Sequence, residues 1–596
     1  MIEEPDTLVV GATGLLGRWL VAELLAQGRS VAATVRGGPA RGHELRTWLR
    51  EHDVGDQALT VVSADITQPG LGLLPEGRLG SVRDVFNTAG LYRFGLGRDE
   101  ARRVNVDGAM NVARWAATRQ HLRRLIQISG YRVGRADISR PASENRLYRR
   151  FGAYEASKRE GDATVRAFAA AEGIPLTVVN PAVVIGHSIT GEAEQYIGLA
   201  EMVENLWTGR LPALAGTRRT FVPVVTVDHL ARFLAAVPEH DSGPYSAHYL
   251  LDDATPELPE LIALLARHLG LRAPRMVAPT GLVRRLPRAL TRTEPETLTF
   301  LSEDRYDTSS ADALADAAGL SHPPVKEALR RWADRLVAER FGRVRPALKG
   351  GFHRVGQTRT YVAGDRLSAG YVLLHGLPLT AEAWQGVLPE LNDTALVADL
   401  PGLGRSARSA DDPADWLAEL FAPLRTRPVL IGHSAGTAPA LRYAHAHPER
   451  VAGLVLVSPY FLQRRPRWHL RTPPLTGPLL RTASPRRLGK VVVGSPKTDV
   501  PALDDAVAQL RRPGVARRTA RWLGRAQSQS ERAELRTLTA TCPVPVHLVT
   551  GEFDPLIDDT LDAPVTVVPG AGHHPQLTHP SHVAAVVKDC LTSMRA

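Results

Sequence analysis

Two glycine turns constrain what this chain can fold into. Each follows a short apolar run and leads at once into a pattern of helical spacing. The first is Thr7-Leu-Val-Val10, then Gly11-Ala-Thr-Gly14-Leu-Leu-Gly17, then Trp19, Leu20, Val21, Leu24 and Leu25, stopping at Gly28. The second is Val429-Leu-Ile431, then Gly432-His433-Ser434-Ala435-Gly436, then Ala438-Pro-Ala-Leu-Arg-Tyr-Ala444. Strand, tight turn and helix form the repeating unit of α/β folds. A length of 596 residues exceeds what one core supports, so the two turns seed two domains. The expected division is 1–345 and 346–596, around a short, basic, glycine-ended join from Phe341 to Gly351.

In the first domain the glycines let backbone N–H groups approach a pyrophosphate at the positive end of the following helix. The next strand, Ser30-Val-Ala-Ala-Thr-Val35, ends at Arg36, where a carboxylate would hold a ribose 2′-hydroxyl. A guanidinium there pairs with a 2′-phosphate, so NADP(H) is favoured over NAD(H). Further strands run Leu59 to Asp65 and Val82 to Asn87, the latter closing in the small-residue turn Asn87-Thr88-Ala89-Gly90. Tyr154 and Lys158 stand four apart, on one helical face. An amphipathic helix is expected over Leu258–Leu269, with Pro259 in its first turn.

These motifs, with Asn105-Val-Asp-Gly108, Ile128-Ser129, Tyr154-Glu-Ala-Ser-Lys158 and Val179-Asn-Pro181, resemble the extended short-chain dehydrogenases/reductases over roughly residues 5 to 335. Asn180-Pro-Ala-Val-Val-Ile-Gly186 and Phe221-Val-Pro-Val-Val-Thr-Val-Asp228 are similar both to thioester and fatty acyl-CoA reductases and to dihydroflavonol-type ketone reductases. The resemblance implies a Rossmann-type doubly wound parallel sheet. It places cofactor contacts at Gly11, Thr13, Gly14, Leu15, Leu16, Gly17, Arg36, Asp65, Ile66, Asn87, Thr88, Ala89, Tyr154 and Lys158. It makes Tyr154 the proton donor to a carbonyl oxygen, Lys158 the cation that lowers the phenol pKa, Ser129 the hydrogen-bond donor to that oxygen, and Asn105 the holder of a relay water. A homodimer through this domain is compatible with the family.

In the second domain, Gly432-His-Ser434-Ala-Gly436 is a nucleophile-elbow pattern in which small neighbours let a strained turn present the serine. With His375-Gly376, Asp399-Leu-Pro-Gly-Leu-Gly-Arg-Ser406 and Gly551-Glu-Phe-Asp554, it resembles the α/β-hydrolase fold over roughly residues 352 to 596. Chain order gives Ser434, Asp554 and His573 as nucleophile, acid and base, with His574 as the neighbouring alternative. Backbone N–H groups of Leu377 and Ala435 are the expected oxyanion donors. Serine at the elbow disfavours the haloalkane dehalogenases and epoxide hydrolases, which carry aspartate there. The segment from about 463 to 540 lies where this fold inserts a helical lid, with Trp468, Leu479, Leu480 and Trp522 as its expected apolar underside.

That segment carries seventeen Lys and Arg against five Asp and Glu, a net of +12, while the whole chain is at +11. Charge so localised implies an anionic partner, against the blander reading of solvated arginines. No nucleic-acid-binding motif accompanies it. Only Cys542 and Cys590 occur, too few for a disulfide framework or a cysteine-based metal site, so no metal is expected. No run is long and apolar enough to span a membrane, and the acidic start does not resemble a secretory signal, so a cytoplasmic location is expected.

Together these features predict a bifunctional enzyme: an NADP(H)-dependent reductase of a ketone, aldehyde or acyl thioester, fused to a serine esterase or thioesterase. The substrate is a small molecule, with carrier- or CoA-linked acyl groups compatible with the basic lid. The competing reading keeps one domain catalytic and makes the other a substrate- or carrier-binding module.

Overall fold

A computed structural model describes residues 4–73, 79–93, 95–133, 144–283, 285, 298, 300–343, 348–409, 412–464, 472–492, 501–556 and 563–595. The chain forms two compact units, Met1–Val203 with Leu211–Leu336, and Glu204–Arg210 with Val337–Ala596. Among the described residues no helix is long and apolar enough to cross a membrane.

The first unit is built on seven strands: β1 (Thr7–Val10), β2 (Val31–Val35), β3 (Leu59–Ser63), β4 (Asp84–Asn87), β5 (Arg124–Ile128), β6 (Leu176–Pro181) and, after three short strands, β10 (Tyr245–Leu250). The intervening strands are β7 (Val183–Ile185), β8 (Ala213–Ala215) and β9 (Val224–Thr226), with β11 (Met276–Ala278) following. All seven long-sheet strands pair in parallel, in the order β10-β6-β5-β4-β1-β2-β3. The central strands β1 and β2 are buried throughout and read as near-continuous apolar runs because both faces are covered. Val9 packs into one core and its neighbours Leu8 and Val10 into the other. Order reverses between β1 and β4, which opens a crevice at their carboxyl ends. The helix expected over Leu258–Leu269 spans Leu258–His268, with proline in its first turn.

The second unit holds β12 (Gly350–Val355), β13 (Thr358–Gly364), β14 (Tyr371–Leu374), β15 (Ala395–Ala398), β16 (Val429–His433), β17 (Gly453–Val457), β18 (Val546–Gly551) and β19 (Val565–Val568). They form one sheet in the order β12-β13-β15-β14-β16-β17-β18-β19, in which β13 pairs antiparallel with both β12 and β15 and the remaining pairs are parallel. This is the α/β-hydrolase arrangement. Leu374 and Val372 face one core, Leu373 and Tyr371 the other. The join expected from Phe341 to Gly351 runs into β12, because Gly350 and Gly351 already pair with Ala363 and Val362. Residues 344–347 of that join lie outside the described residues.

Among the described residues between β17 and β18 are the α-helices Pro473–Arg481, Pro485–Val492, Pro501–Leu510, Val515–Arg525 and Gln529–Ala540. Their apolar underside differs from expectation. Leu479 is 57% exposed, since Leu475 and Leu479 share the outer face of their helix. The inner face of that helix is Thr476 and Gly477, small enough for close approach to Ala520. Burial falls instead on Leu488, Leu503, Ala506 and Val507, against Leu379 and Ala383. Trp522 is partly buried against the main core, and Trp468 lies outside the described residues.

The basic side chains of this insertion also divide. Arg512 and Arg532 are buried, Arg518 donates to Gly402 O (2.8 Å) and Arg536 to Phe461 O (3.1 Å). Arg464, Arg481, Arg486, Arg487, Lys490, Arg511, Arg517, Arg521 and Arg525 are exposed. Arg465, Arg467, Arg471, Lys497 and Asp499 lie outside the described residues.

Candidate active sites

In the first unit the glycine turn sits at the β1–β4 crevice. Gly11 has φ +86°, and a Cβ there would lie 2.8 Å from Ala89 N and 3.0 Å from Thr88 Oγ1. The two turns therefore touch through backbone, and Thr88 seals the contact by donating to Val10 O (2.8 Å). Thr13 lies within the first turn, and Leu15, Leu16 and Gly17 open the helix Leu15–Ala26. No acidic side chain stands in that helix's first turn to compete with an anion. Asn87 is fully buried; its Nδ2 donates to Gln127 (2.8 Å) and its Oδ1 accepts from Ala89 N (3.2 Å), which shapes the second turn.

Arg36 follows β2 and is exposed. It lines a cavity of about 410 Å³ with Asp65, Thr67, Gln68 and Arg103. The Asp65 carboxylate is committed locally: Oδ1 accepts from Thr67 N (2.9 Å) and Thr67 Oγ1 (2.8 Å). The Thr67 backbone bond leads the causes that hold its pKa below the ordinary value, and Arg36 and Arg103 add to them. Ile66 lies beside Gly108, where a Cβ would meet its Cδ1 at 2.8 Å. Arg103 was not expected from sequence. It is placed by the π-helical turn Arg103–Gly108, which no periodicity in Arg-Val-Asn-Val-Asp-Gly announces.

The same turn buries Asn105. Leu91 N donates to Asn105 Oδ1 (2.9 Å), and Asn105 Nδ2 donates to Ser157 Oγ (3.0 Å) and Leu91 O (3.3 Å). The Asn105 amide thus braces the Leu91 loop against the helix carrying Tyr154. Lys158 Nζ lies so close to Gly90 that a Cβ there would stand 2.9 Å from it. Burial pulls the Lys158 ammonium down to about 8. Burial, then Tyr92, Glu155 and Tyr131, push the Tyr154 phenol well above its ordinary value, opposite to the lowering expected from Lys158. Ser129 is buried, and its hydroxyl hydrogen-bonds the Asp162 carboxyl.

Ser129, Tyr154 and Lys158 line a cavity of about 240 Å³ with Tyr92, Tyr131 and Phe300. The Tyr92 ring lies tilted 5.0 Å from Tyr154, and the Phe300 ring lies near-parallel to it at 6.5 Å. Neither aromatic carries a sequence signal of its own; tertiary packing brings them in.

In the second unit Ser434 follows β16 directly with φ +48°, a left-handed conformation that costs a non-glycine residue on the order of 1–3 kcal/mol. Only glycine fits at 436, where a Cβ would meet His375 O at 2.8 Å. His573 Nε2 lies 2.9 Å from Ser434 Oγ, and His573 Nδ1 lies 2.5 Å from Asp554 Oδ2. Three residues far apart in sequence form one hydrogen-bonded chain. His574 is buried behind it, 4.7 Å ring to ring from His433. Burial keeps both His433 and His574 well below the ordinary imidazole pKa, hence neutral. Nitrogens of His433, His573 and His574 lie within 4.8 Å of one another.

Leu377 and Ala435 are both buried beside this chain. The loop bearing Leu377 is pinned by the Asp399–Ser406 turn: Leu400 N donates to His375 Nε2 (3.0 Å) and Ala381 N to Asp399 Oδ1 (2.7 Å). Asp399 also accepts from Arg405 N (2.8 Å) and Nε (3.2 Å), and Arg405 reaches Glu382 (3.1 Å). The motif's charged residues therefore build the loop rather than line the site. Ala435 borders a cavity of about 450 Å³ flanked by Tyr460, Arg442, Trp522 and Arg525. Gln463, unexpected from sequence, donates Nε2 to Asp554 Oδ2 (2.5 Å).

Fold and site geometry define a dinucleotide-binding-type domain followed by an α/β-hydrolase-type domain. Residues 9–234 match the family described as "Male sterility protein", an NAD-binding family, and residues 371–586 match the "Alpha/beta hydrolase family". The chain belongs to both: a male-sterility-type reductase domain joined to an α/β-hydrolase domain. Pimeloyl-[acyl-carrier protein] methyl ester esterase of Edwardsiella ictaluri is 30% identical over 243 residues, covering 36% of this chain and 90% of that protein. Tetraketide alpha-pyrone reductase 1 of Arabidopsis thaliana is 27% identical over 286 residues, covering 45% of this chain and 82% of that protein. The terminal R domain from the myxalamid PKS-NRPS biosynthetic pathway aligns at 21% identity and TM-score 0.46, over 56% of this chain and 91% of that one.

Proposed function

We propose that the chain is a bifunctional enzyme, an NADP(H)-dependent reductase of a ketone, aldehyde or acyl thioester fused to a serine esterase or thioesterase, divided at about residue 345. The observation that carries it is the unbroken Ser434–His573–Asp554 hydrogen-bond chain. A nucleophile, a base and an orienting acid already in register suit acyl transfer. His573 Nε2 takes the Ser434 proton as Oγ attacks a carbonyl carbon, and returns it to the leaving group. Asp554 holds the imidazole so that Nε2 faces the serine. Leu377 and Ala435 N–H groups receive the oxyanion.

On the reductase side the residues fit a dinucleotide. The Gly11 turn touches backbone with no Cβ between, and a helix N-terminus free of acidic side chains follows. When bound, a nicotinamide dinucleotide supplies or accepts the hydride. The Gly11–Gly17 turn holds its pyrophosphate, with Asn87, Thr88 and Ala89 along the opposite wall. Arg36 and Arg103 flank the cavity where a 2′-phosphate fits, which supports NADP(H) over NAD(H). Tyr154 keeps its proton across the working pH range and gives it to the substrate oxygen. Ser129 Oγ, on the wall of the same cavity as Tyr154, donates to the same oxygen. Lys158 supplies positive charge beneath both.

The exposed arginines Arg517, Arg521 and Arg525 form an i, i+4, i+8 stripe on one helix. They support an anionic, carrier- or CoA-linked acyl substrate for the hydrolase, as does the name of the esterase relative, which acts on an acyl-carrier-protein ester. Purified protein, assayed with NADPH and carbonyl compounds and separately with a p-nitrophenyl ester, tests the proposal. Both activities are expected, and absence of either returns that domain to a binding role.

A further inference from the structure

We propose that Gln463 is a positioning residue for the acid Asp554, and that it ties the helical insertion to the nucleophile's hydrogen-bond chain. The proposal rests on the serine-hydrolase reading of Ser434, His573 and Asp554. Gln463 is 3% exposed and stands just beyond β17, at the first residue of the insertion. An ionised carboxylate only accepts hydrogen bonds, so the amide must present its NH₂. Nε2 reaches Asp554 Oδ2 at 2.5 Å and Asp554 O at 3.2 Å. The same Oδ2 takes the bond from His573 Nδ1.

Two donors on one carboxylate oxygen fix the rotation of a group whose terminal torsion is otherwise broad. The backbone of the acid is fixed as well, because Thr550 Oγ1 donates to Asp554 O at 2.6 Å. An amide suits this post because it cannot ionise: it orients Asp554 while leaving the carboxylate's charge to the imidazolium that forms on His573.

Gln463 is itself gripped from the helix Gln529–Ala540. Arg532 donates to Gln463 O, and Arg536 Nε to Phe461 O at 3.1 Å. The line of support therefore runs from the last helix of the insertion through Gln463 and Asp554 to His573 and Ser434. Two of the insertion's arginines have this structural duty.

The test is phosphonylation of the full-length protein by a fluorophosphonate probe, which reads the reactivity of Ser434 without needing the natural ester. Gln463→Leu should lower the maximal labelling rate about tenfold and leave the probe's half-saturation within about twofold, the loss expected for one charge-assisted bond. Gln463→Glu keeps the side chain's shape but loses the donor, and should fall at least as far; it carries the test should the leucine variant not fold. In an Asp554→Ala background neither substitution should lower the rate further. Wild-type labelling rates in both variants, or losses that persist undiminished without Asp554, would overturn the role of Gln463 alone. Failure of the wild-type protein to be labelled at Ser434 would overturn the serine-hydrolase reading, and the proposal with it.

Discussion

The two sites solve the problem of activating an oxygen in opposite ways. In the hydrolase unit the polar groups complete one another: serine to histidine, histidine to aspartate, aspartate to glutamine, each within 2.9 Å. In the reductase unit the polar groups stand among aromatic rings. Tyr154 lies beside Tyr92 and Phe300, with its phenol pushed up by burial. The first arrangement stores reactivity in protein geometry. The second makes reactivity conditional on a ligand that meets the buried oxygens. An engineered change to one hydrogen bond should therefore cost the hydrolase directly, whereas the reductase should feel changes through cofactor affinity and protonation.

The largest expected contrast is between the adjacent histidines. His573→Ala should lower Ser434 phosphonylation by at least about a thousandfold, as loss of a triad base does. His574→Ala, removing a buried imbedded ring that makes no bond to the serine, should lower it by less than about tenfold and act mainly on melting temperature. Reversal of that order would move the base to His574.

Cofactor choice comes next. Arg36→Ala and Arg103→Ala should each weaken NADPH binding by about tenfold to a hundredfold, the range for a charge-assisted contact, and leave NADH nearly unchanged. Equal dissociation constants for the two cofactors in the wild-type protein would remove both arginines from the 2′-phosphate.

How much of this was readable beforehand differs between backbone and side chains. The strand–glycine–helix turns and the choice of serine, aspartate and histidine follow from local pattern and chain order, whereas the order of the strands does not. Arg103 and Asn105 sit on a π-helical turn, and that turn depends on Gly161 letting another helix approach, since a Cβ there would lie 2.1 Å from Asn105 O. Gln463 has no local signature because its meaning lies in an aspartate ninety-one residues away. Leu479 was expected inside because it is apolar, while Gly477 and Ala520 show that small residues made the contact.

A smaller effect is expected with pH. Burial sets Lys158 at about 8 while Tyr154 stays protonated, so kcat/KM for reduction should fall tenfold per unit above about pH 8, as the lysine loses its charge. The same depression makes stability rise with pH between about 8 and the ordinary lysine value of 10.5, where the unfolded chain binds the extra proton. A flat rate from pH 7 to 10 would mean that the ammonium is dispensable.

The smallest effect concerns the exposed arginine stripe. Charge reversal of Arg517, Arg521 and Arg525 to Glu should flatten the salt dependence of hydrolysis of an acyl-CoA or carrier-linked ester, since exposed charges are screened over about 8 Å at physiological salt. Hydrolysis of a neutral p-nitrophenyl ester should not change. Identical salt profiles for both substrates in the wild-type protein would reduce the stripe to a solvated face.

The central claim is that one chain carries two independent catalytic centres. Its most direct test measures NADPH-dependent carbonyl reduction and p-nitrophenyl ester hydrolysis side by side in full-length wild type, Tyr154→Phe and Ser434→Ala. Tyr154→Phe should lose reduction and keep hydrolysis within about twofold, and Ser434→Ala should do the reverse. Loss of both activities in either single variant would contradict the account.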